Sequence, residues 1–246
     1  MNEVTDLYPY TNFLFMNNKK IAILQSSYIP WKGHFDLMAS VDEFILYDDV
    51  QYTVLDWRNR NKIKIPNGLQ WLTIPVKHKG NPLQQKINEV EVLNNNWRIK
   101  HWKSIQQNYC KSPFFNLYKD ELKEIYLGSS EKFLSKINFM FISWICTKLS
   151  IKTVFSWSSD YNCTGNRVER LVNFCKATGA THYISGPAAK SYLDVSLFEN
   201  EGITVEFLKV DNYPEYPQLH GNFEHKVTVL DLLFNTGTRA REFMIT

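Results

Sequence analysis

The chain is expected to fold as an α/β protein on a parallel sheet, and three observations lead there. Short apolar runs bounded by turn residues alternate with stretches whose apolar positions recur every three to four residues, the rhythm of parallel β-α-β units. The 246 residues are 15% aromatic and only 22% charged, enough apolar surface for a sizeable core. Ten glycines fall below the ~7% of an average chain and are too few for glycine-rich repeats or low-complexity architecture.

The elements follow in order. Residues 21–24 (IAIL) form a first strand, and residues 33–41 (GHFDLMASV) place Phe35, Met38 and Val41 at helical spacing. Residues 43–47 (EFILY) are a second strand, parallel to the first through a right-handed crossover. NKIKI, the turn Pro66-Asn67-Gly68 and LQWLTIPV then make a hairpin that carries Arg58, Arg60, Lys62 and Lys64. Strand alternation would send Arg58 and Arg60 to one face and Asn59 to the other. Between 97 and 127 the pattern is helical through Trp102, Ile105, Tyr109, Tyr118, Leu122 and Ile125, and 133–149 is a strongly apolar helix. Strands at 152–156, 182–185 and 204–208 flank a helix from 166 to 177 that ends at Gly179, and a last helix from 227 to 235 is closed by Gly237. The expected organisation is a loose extension at 1–15 followed by a single α/β domain, 16–246, with an inserted hairpin and helical segment.

Composition narrows the function. A net charge of +3 is far from the basic balance of a typical nucleic-acid module, so no nucleic-acid partner is expected except tRNA as a donor. Cys110, Cys146, Cys163 and Cys175 lie far apart with no CxxC pair, which fits a reduced, cytoplasmic setting rather than a disulfide framework. The apolar run at 137–147 is shorter than the ~20 residues that span a bilayer, so no membrane span is expected. Walker A, GxGxxG and GxSxG sequences are absent, against P-loop, dinucleotide and esterase readings.

Chemistry concentrates in QSSYIPWKGHFDLMASVDEFILYDDVQY, residues 25–52. A loop that leaves a strand and enters a helix at Gly33-His34, with Lys32 beside it, presents backbone N–H groups at a positive helix terminus where phosphate binds. The stretch resembles the HxGH signature of nucleotidyltransferases and class I aminoacyl-tRNA synthetases, with Trp31 at the position of the first histidine. That resemblance implies a nucleotide-binding, HUP-like core and a catalytic role for His34. YISGPAAKSYL, from residue 183 to 193, resembles the late loop of such folds, with Ser185, Gly186 and Lys190 holding phosphates from the other side. A capped turn with a surface histidine is the plain alternative. Asp48 and Asp49 stand at the expected end of the second strand, the edge where open α/β sheets bind ligands. They would hold Mg²⁺ with ATP phosphates, serve as general base on an amine, or orient the basic loop that follows, unless one merely caps a turn.

Trp57, Asn59, Arg60 and Arg58 interleave an aromatic ring with forks that match phosphate or carboxylate. Lys77 and His78 follow the hairpin, and His101 lies four residues after Trp97, on the same helix face. A zinc site through His101 with His78 or His34 lacks any HExxH, CxxC or clustered ligand set, so no metal ligands are assigned. Tyr213, Tyr216, Gln218, His220 and Phe223 form an aromatic loop able to stack on a sugar or simply to pack.

Taken together the chain resembles the WbqC-like family from about residue 20 to 237. The resemblance is carried by Gln25, Tyr28, Pro30-Trp31, Gly33, Asp48-Asp49-Val50-Gln51-Tyr52, Trp57, Asn59-Arg60 and Ile63-Lys64. It continues through Trp71-Leu72-Thr73, Pro75-Val76, Trp97, His101, Tyr109, Tyr192-Leu193, Tyr216, Gln218, Phe223 and Asp231-Leu232-Leu233. Ser26-Ser27 departs from the family's usual residues after the glutamine. The resemblance implies an enzyme of surface-polysaccharide (O-antigen) biosynthesis that transfers an aminoacyl group, with glycyl favoured, to the amine of a nucleotide-linked amino sugar. The HxGH-like loop adds the expectation of an ATP-derived acyl adenylate. An aminoacyl-tRNA or acyl-thioester donor, or a non-catalytic nucleotide-sugar module, are the alternatives.

Overall fold

A computed structural model describes residues 18–77 and 85–246. The expected extension at 1–15 and His78 lie outside the described residues. Strands β1 (Lys20–Leu24), β2 (Glu43–Leu46), β5 (Val154–Trp157), β6 (His182–Ser185) and β7 (Thr204–Phe207) form a sheet ordered β5-β2-β1-β6-β7 with every pairing parallel. The chain grows outward from β1 through β2 to β5, then returns to β6 on the other side of β1. The order therefore reverses between β1 and β6, the place where open parallel sheets leave a crevice beyond their carboxyl ends.

Alternation along each strand makes two cores. Ala22, Phe44 and Leu46 face α1 (Lys32–Ala39), α4 (Leu134–Lys148) and α7 (Val229–Thr236), whereas Ile21, Ile23 and Ile45 face α5 (Arg167–Thr178) and the short α6 (Ser196–Glu199). The first core also takes α2 (Asn96–Tyr109) and α3 (Phe115–Leu127). The helical stretch expected from 97 to 127 is two helices, because Pro113 lacks the N–H and bears the ring that a continuous helix cannot carry. α5 starts at Asn166, whose side chain accepts from the N–H groups of Val168 and Glu169, and stops at Gly179, left-handed at φ 68°. Helix α6 has no counterpart in the sequence reading, since four residues carry too little periodicity to detect.

The hairpin of β3 (Arg60–Ile65) and β4 (Gly68–Thr73) is a separate two-stranded sheet. Its inner face buries Ile63 and Leu72, and its outer face carries Arg60, Lys62 and Trp71. Helix α7 is buried throughout, with Phe234 against the rings of Tyr109, Phe115 and Tyr118. Its Asp231 accepts hydrogen bonds from the hydroxyls of Tyr109 and Tyr216 at 2.9 Å each and from Gln218 Nε2 at 2.8 Å. Lys64 Nζ donates to Gln218 Oε1 at 2.5 Å and to the Asn222 carbonyl, so the loop before α7 is tied to the hairpin and to the core. Burial raises the Asp231 carboxyl above its usual range while these donors pull the other way.

Candidate functional site

A cavity of about 690 Å³ opens over the carboxyl end of β1, within the range of small-molecule sites. Leu24, Ser27 and Pro30 supply its floor from the segment leaving β1, and Val210 and Asn212 close it from the chain after β7. Its walls are aromatic: Trp31, Trp57 and Tyr213. Among the described residues Arg58 and Lys226 are its cations, His34 and His225 its imidazoles, and no carboxylate lines it.

The segment leaving β1 is held in an unusual shape. Ile29 has φ 42°, a left-handed conformation that a β-branched residue rarely adopts. Asn61 Nδ2 donates to the carbonyls of Tyr28 (3.2 Å) and Ile29 (2.6 Å), while Tyr28 N donates to the Trp57 carbonyl at 2.9 Å. Arg58 Nη1 donates to the carbonyls of Gln25 and Ser26 and to Ser27 Oγ, at 2.9 to 3.0 Å. Asn138 on α4 donates to Ser26 Oγ at 3.0 Å and to the Arg58 carbonyl at 2.9 Å. The hairpin entry and the β1 loop are thus one bonded unit, and the cavity is its concave side.

His34 sits in the first full turn of α1, buried yet lining the cavity, and its Nε2 has no hydrogen-bond partner. Burial first and the Arg58 charge second push its pKa down to about 3, so the ring is neutral at physiological pH. Gly33 serves the wall: a Cβ there would lie 2.4 Å from Cζ2 of Trp31, so the indole lies flat against α1 only because position 33 has no side chain. Trp31 meets Tyr213 edge to face at 5.5 Å between ring centroids.

Other candidates of the sequence reading are elsewhere. Lys32 is buried behind Tyr213: its Nζ donates to the Pro214 carbonyl at 3.0 Å and lies 4.6 Å from the Tyr213 ring centre, and burial lowers its pKa to about 8. Asp48 is buried and accepts from Ser26 N at 2.8 Å and from Ser135 Oγ; burial raises its pKa, and its work is to hold the β1 loop against α4. Asp49 pairs with Arg170 and accepts from Ser158 Oγ at 2.5 Å. All four carboxylate oxygens are therefore engaged within the fold, and the two aspartates do not fit a Mg²⁺ site.

Tyr28 and His101 are core. His101 Nδ1 lies 2.9 Å from the Tyr28 hydroxyl, which also meets the Tyr126 hydroxyl at 2.6 Å. The Thr73 backbone bonds the same imidazole, and burial takes its pKa down to about 4. Asn59 Nδ2 is spent on the Ile74 carbonyl at 2.9 Å. Gln51 is exposed and bridges to Lys86 through its backbone, and Lys77 is exposed and pairs with Glu91 at 2.9 Å. Ser185 ends β6 and Gly186 and Lys190 follow it, but none of the three lines the cavity, and Lys190 lies exposed with Nζ 5.5 Å from the Phe207 ring centre.

The expectation that Arg58 and Arg60 share a face is corrected. Arg58 precedes β3, outside the alternation, and turns into the cavity, whereas Arg60 lies 4.2 Å from the centre of the Trp71 ring on the hairpin's outer face. The sequence reading missed Ser27 and Asn61, short polar side chains inside the β1 loop and β3, and Asn212, His225 and Lys226, which a loop far along the chain brings to the site through contacts such as Lys32 to Pro214 and Lys64 to Gln218. Among the described residues no three His, Cys, Asp or Glu side chains converge as a metal site would, and no helix is long and apolar enough to cross a membrane.

An aromatic, cation-lined cavity at the reversal of strand order in a parallel α/β sheet stands where sheets of this class have their ligand crevice. The chain belongs to the WbqC-like protein family, whose model matches residues 25–243. It is 46% identical over 226 residues to Rv1507c, an uncharacterised protein of Mycobacterium tuberculosis, across 92% of this chain and 97% of that protein. No solved structure matches it.

Proposed function

We propose that this protein is a cytoplasmic enzyme that transfers an aminoacyl or other acyl group from an activated donor to the amine of a nucleotide-linked amino sugar in surface-polysaccharide synthesis. The observation that carries the reading is the charge of the cavity's lining: Arg58, paired with Asp56 at 3.6 Å, and Lys226 face it, and among the described residues no carboxylate lines it. Such a site favours the anionic diphosphate of a nucleotide sugar, with Trp31 or Trp57 against its rings. It also disfavours a second cation, so the sugar's ammonium loses its proton on entry and becomes a nucleophile. Burial first and the Arg58 charge second push the His34 pKa down to about 3, so the ring is neutral when the substrate enters.

In the reaction the amine nitrogen forms a bond to the acyl carbon, and the donor's carbon–oxygen or carbon–sulfur bond breaks. His34 relays the proton from the amine to the departing alcohol or thiol as the bonds change, so that no free imidazolium builds up beside Arg58. Of the residues that the sequence reading gives to ATP and Mg²⁺, His34 lines the cavity while Lys32, Asp48, Asp49, Ser185, Gly186 and Lys190 do not, so a donor activated elsewhere, a thioester or an aminoacyl-tRNA ester, fits better than an adenylate made here.

The test is amide formation followed by mass spectrometry, with nucleotide-linked amino sugars as acceptors and acyl-thioesters or aminoacyl-tRNA as donors. Amino-acid-dependent ATP–pyrophosphate exchange runs beside it. Product with an activated donor and no exchange is expected; exchange would restore the adenylate. His34→Gln is expected to lose about 10² to 10⁴ in kcat, and full activity in His34→Ala would remove the residue from the mechanism. Binding of a nucleotide sugar without turnover across all donors would leave a binding module.

A further inference from the structure

We propose that the outer face of the β3–β4 hairpin is a base subsite, in which Trp57, Trp71, Arg60 and Lys62 take the nucleobase of a nucleotide-linked substrate whose sugar end lies in the cavity. This rests on the nucleotide-sugar reading of the cavity and adds which end of the ligand goes where.

Trp57 joins the two places. It lines the cavity, and its ring centroid lies 5.5 Å from that of Trp71 with planes 38° apart. The β3–β4 register sets Lys62 opposite Trp71 and Arg60 on the same face, with the guanidinium 4.2 Å and the ammonium 4.8 Å from the Trp71 ring centre. Among the described residues neither Arg60 nor Lys62 forms an ion pair with a carboxylate. Trp57 and Trp71 remain 44% and 41% exposed. Two adjacent indoles partly open to water match the flat face of a neutral nucleobase, whose carbonyl oxygens and ring nitrogens accept from the flanking Arg60 and Lys62.

The orientation follows from chemistry. The acceptor amine must reach His34, the diphosphate falls to Arg58 and Lys226 inside, and the remaining base exits past Trp57 onto Trp71. Ring stacking tolerates any base, so the platform sets affinity more than base identity.

The experiment is calorimetric titration of the full-length chain with UDP, dTDP, GDP, CDP, ADP and inorganic pyrophosphate. At least one nucleoside diphosphate is expected to bind more tightly than pyrophosphate. Trp71→Ala is expected to weaken that nucleotide about tenfold with pyrophosphate affinity unchanged, and Trp71→Phe to keep most of the affinity. Matched melting temperatures establish that each variant folds. Wild-type nucleotide affinity in Trp71→Ala, or nucleotides no tighter than pyrophosphate on the native chain, would overturn the subsite and leave the cavity reading standing. Failure of the native chain to bind any nucleoside diphosphate or nucleotide sugar would overturn the cavity reading itself.

Discussion

At Gly33 a side chain would collide with the Trp31 indole, the nearest ring atom being 2.4 Å from the Cβ position. The first turn of α1 tolerates alanine well on propensity alone, so the collision decides the outcome. Gly33→Ala is expected to keep its far-ultraviolet circular dichroism and shift its tryptophan emission. Ligand affinity in the cavity should fall about tenfold as the wall is lost, a change of about 1.4 kcal/mol. Unchanged emission and affinity would mean that Trp31 does not form the wall. His34 is the counterpart at this scale: burial keeps the ring neutral, and among the described residues its Nε2 has no partner and no carboxylate lines the cavity beside it.

The next scale is the loop leaving β1, whose shape is imposed by the hairpin rather than by its own residues. Arg58 spends Nη1 on three acceptors of residues 25 to 27, and its planar fork reaches them in a way that a lysine ammonium does not. Arg58→Lys is therefore expected to cost about 2 kcal/mol in urea unfolding, since buried acceptors lose charged donors. Nucleotide affinity should fall with it, because the cavity floor loosens. A midpoint within error of the native one would show that the loop holds its shape unaided. The same dependence explains Ile29: a β-branched residue at φ 42° persists because Asn61 and Trp57 bond the peptides around it.

Across the whole molecule, two buried imidazoles make stability depend on pH. His34 and His101 have pKa values pushed down to about 3 and about 4 by burial, against an ordinary ~6.5 in the unfolded chain. From about pH 6.5 down to those values the unfolded state binds more protons. The stability they contribute is thus complete above pH 6.5 and is lost on acidification, at up to about 1.4 kcal/mol per pH unit for each ring. His101→Gln is expected to unfold less steeply than the native chain between pH 7 and pH 5 in denaturant titrations. The buried carboxyls Asp48 and Asp231, whose pKa values are raised, act in both proteins and drop out of that difference. Equal pH slopes would mean that His101 is not held neutral in the fold.

Much of this fold is legible in the chain because each β-α-β unit closes locally. The runs at 21–24, 43–47, 182–185 and 204–208 all become strands, and the punctuation at Gly68 and Gly179 falls where turns and helix ends form. The family is legible in the same way, yet many positions that carry the resemblance are fold-holding: Asp231 collects Tyr109, Tyr216 and Gln218, and Asp48 collects Ser26 and Ser135. A motif reading cannot separate a buried carboxylate from a catalytic one, because both place an acid at a strand or helix end. That distinction depends on which partners come from distant segments. The sequence by itself determined the parallel α/β class, the family and the candidacy of His34, Trp31 and Trp57, since these rest on local pattern. Only the tertiary structure decided that Arg58 turns inward and Arg60 outward, and that Asn212, His225 and Lys226 join the site. Those choices follow from long-range hydrogen bonds and side-chain burial, which have no local period in the chain.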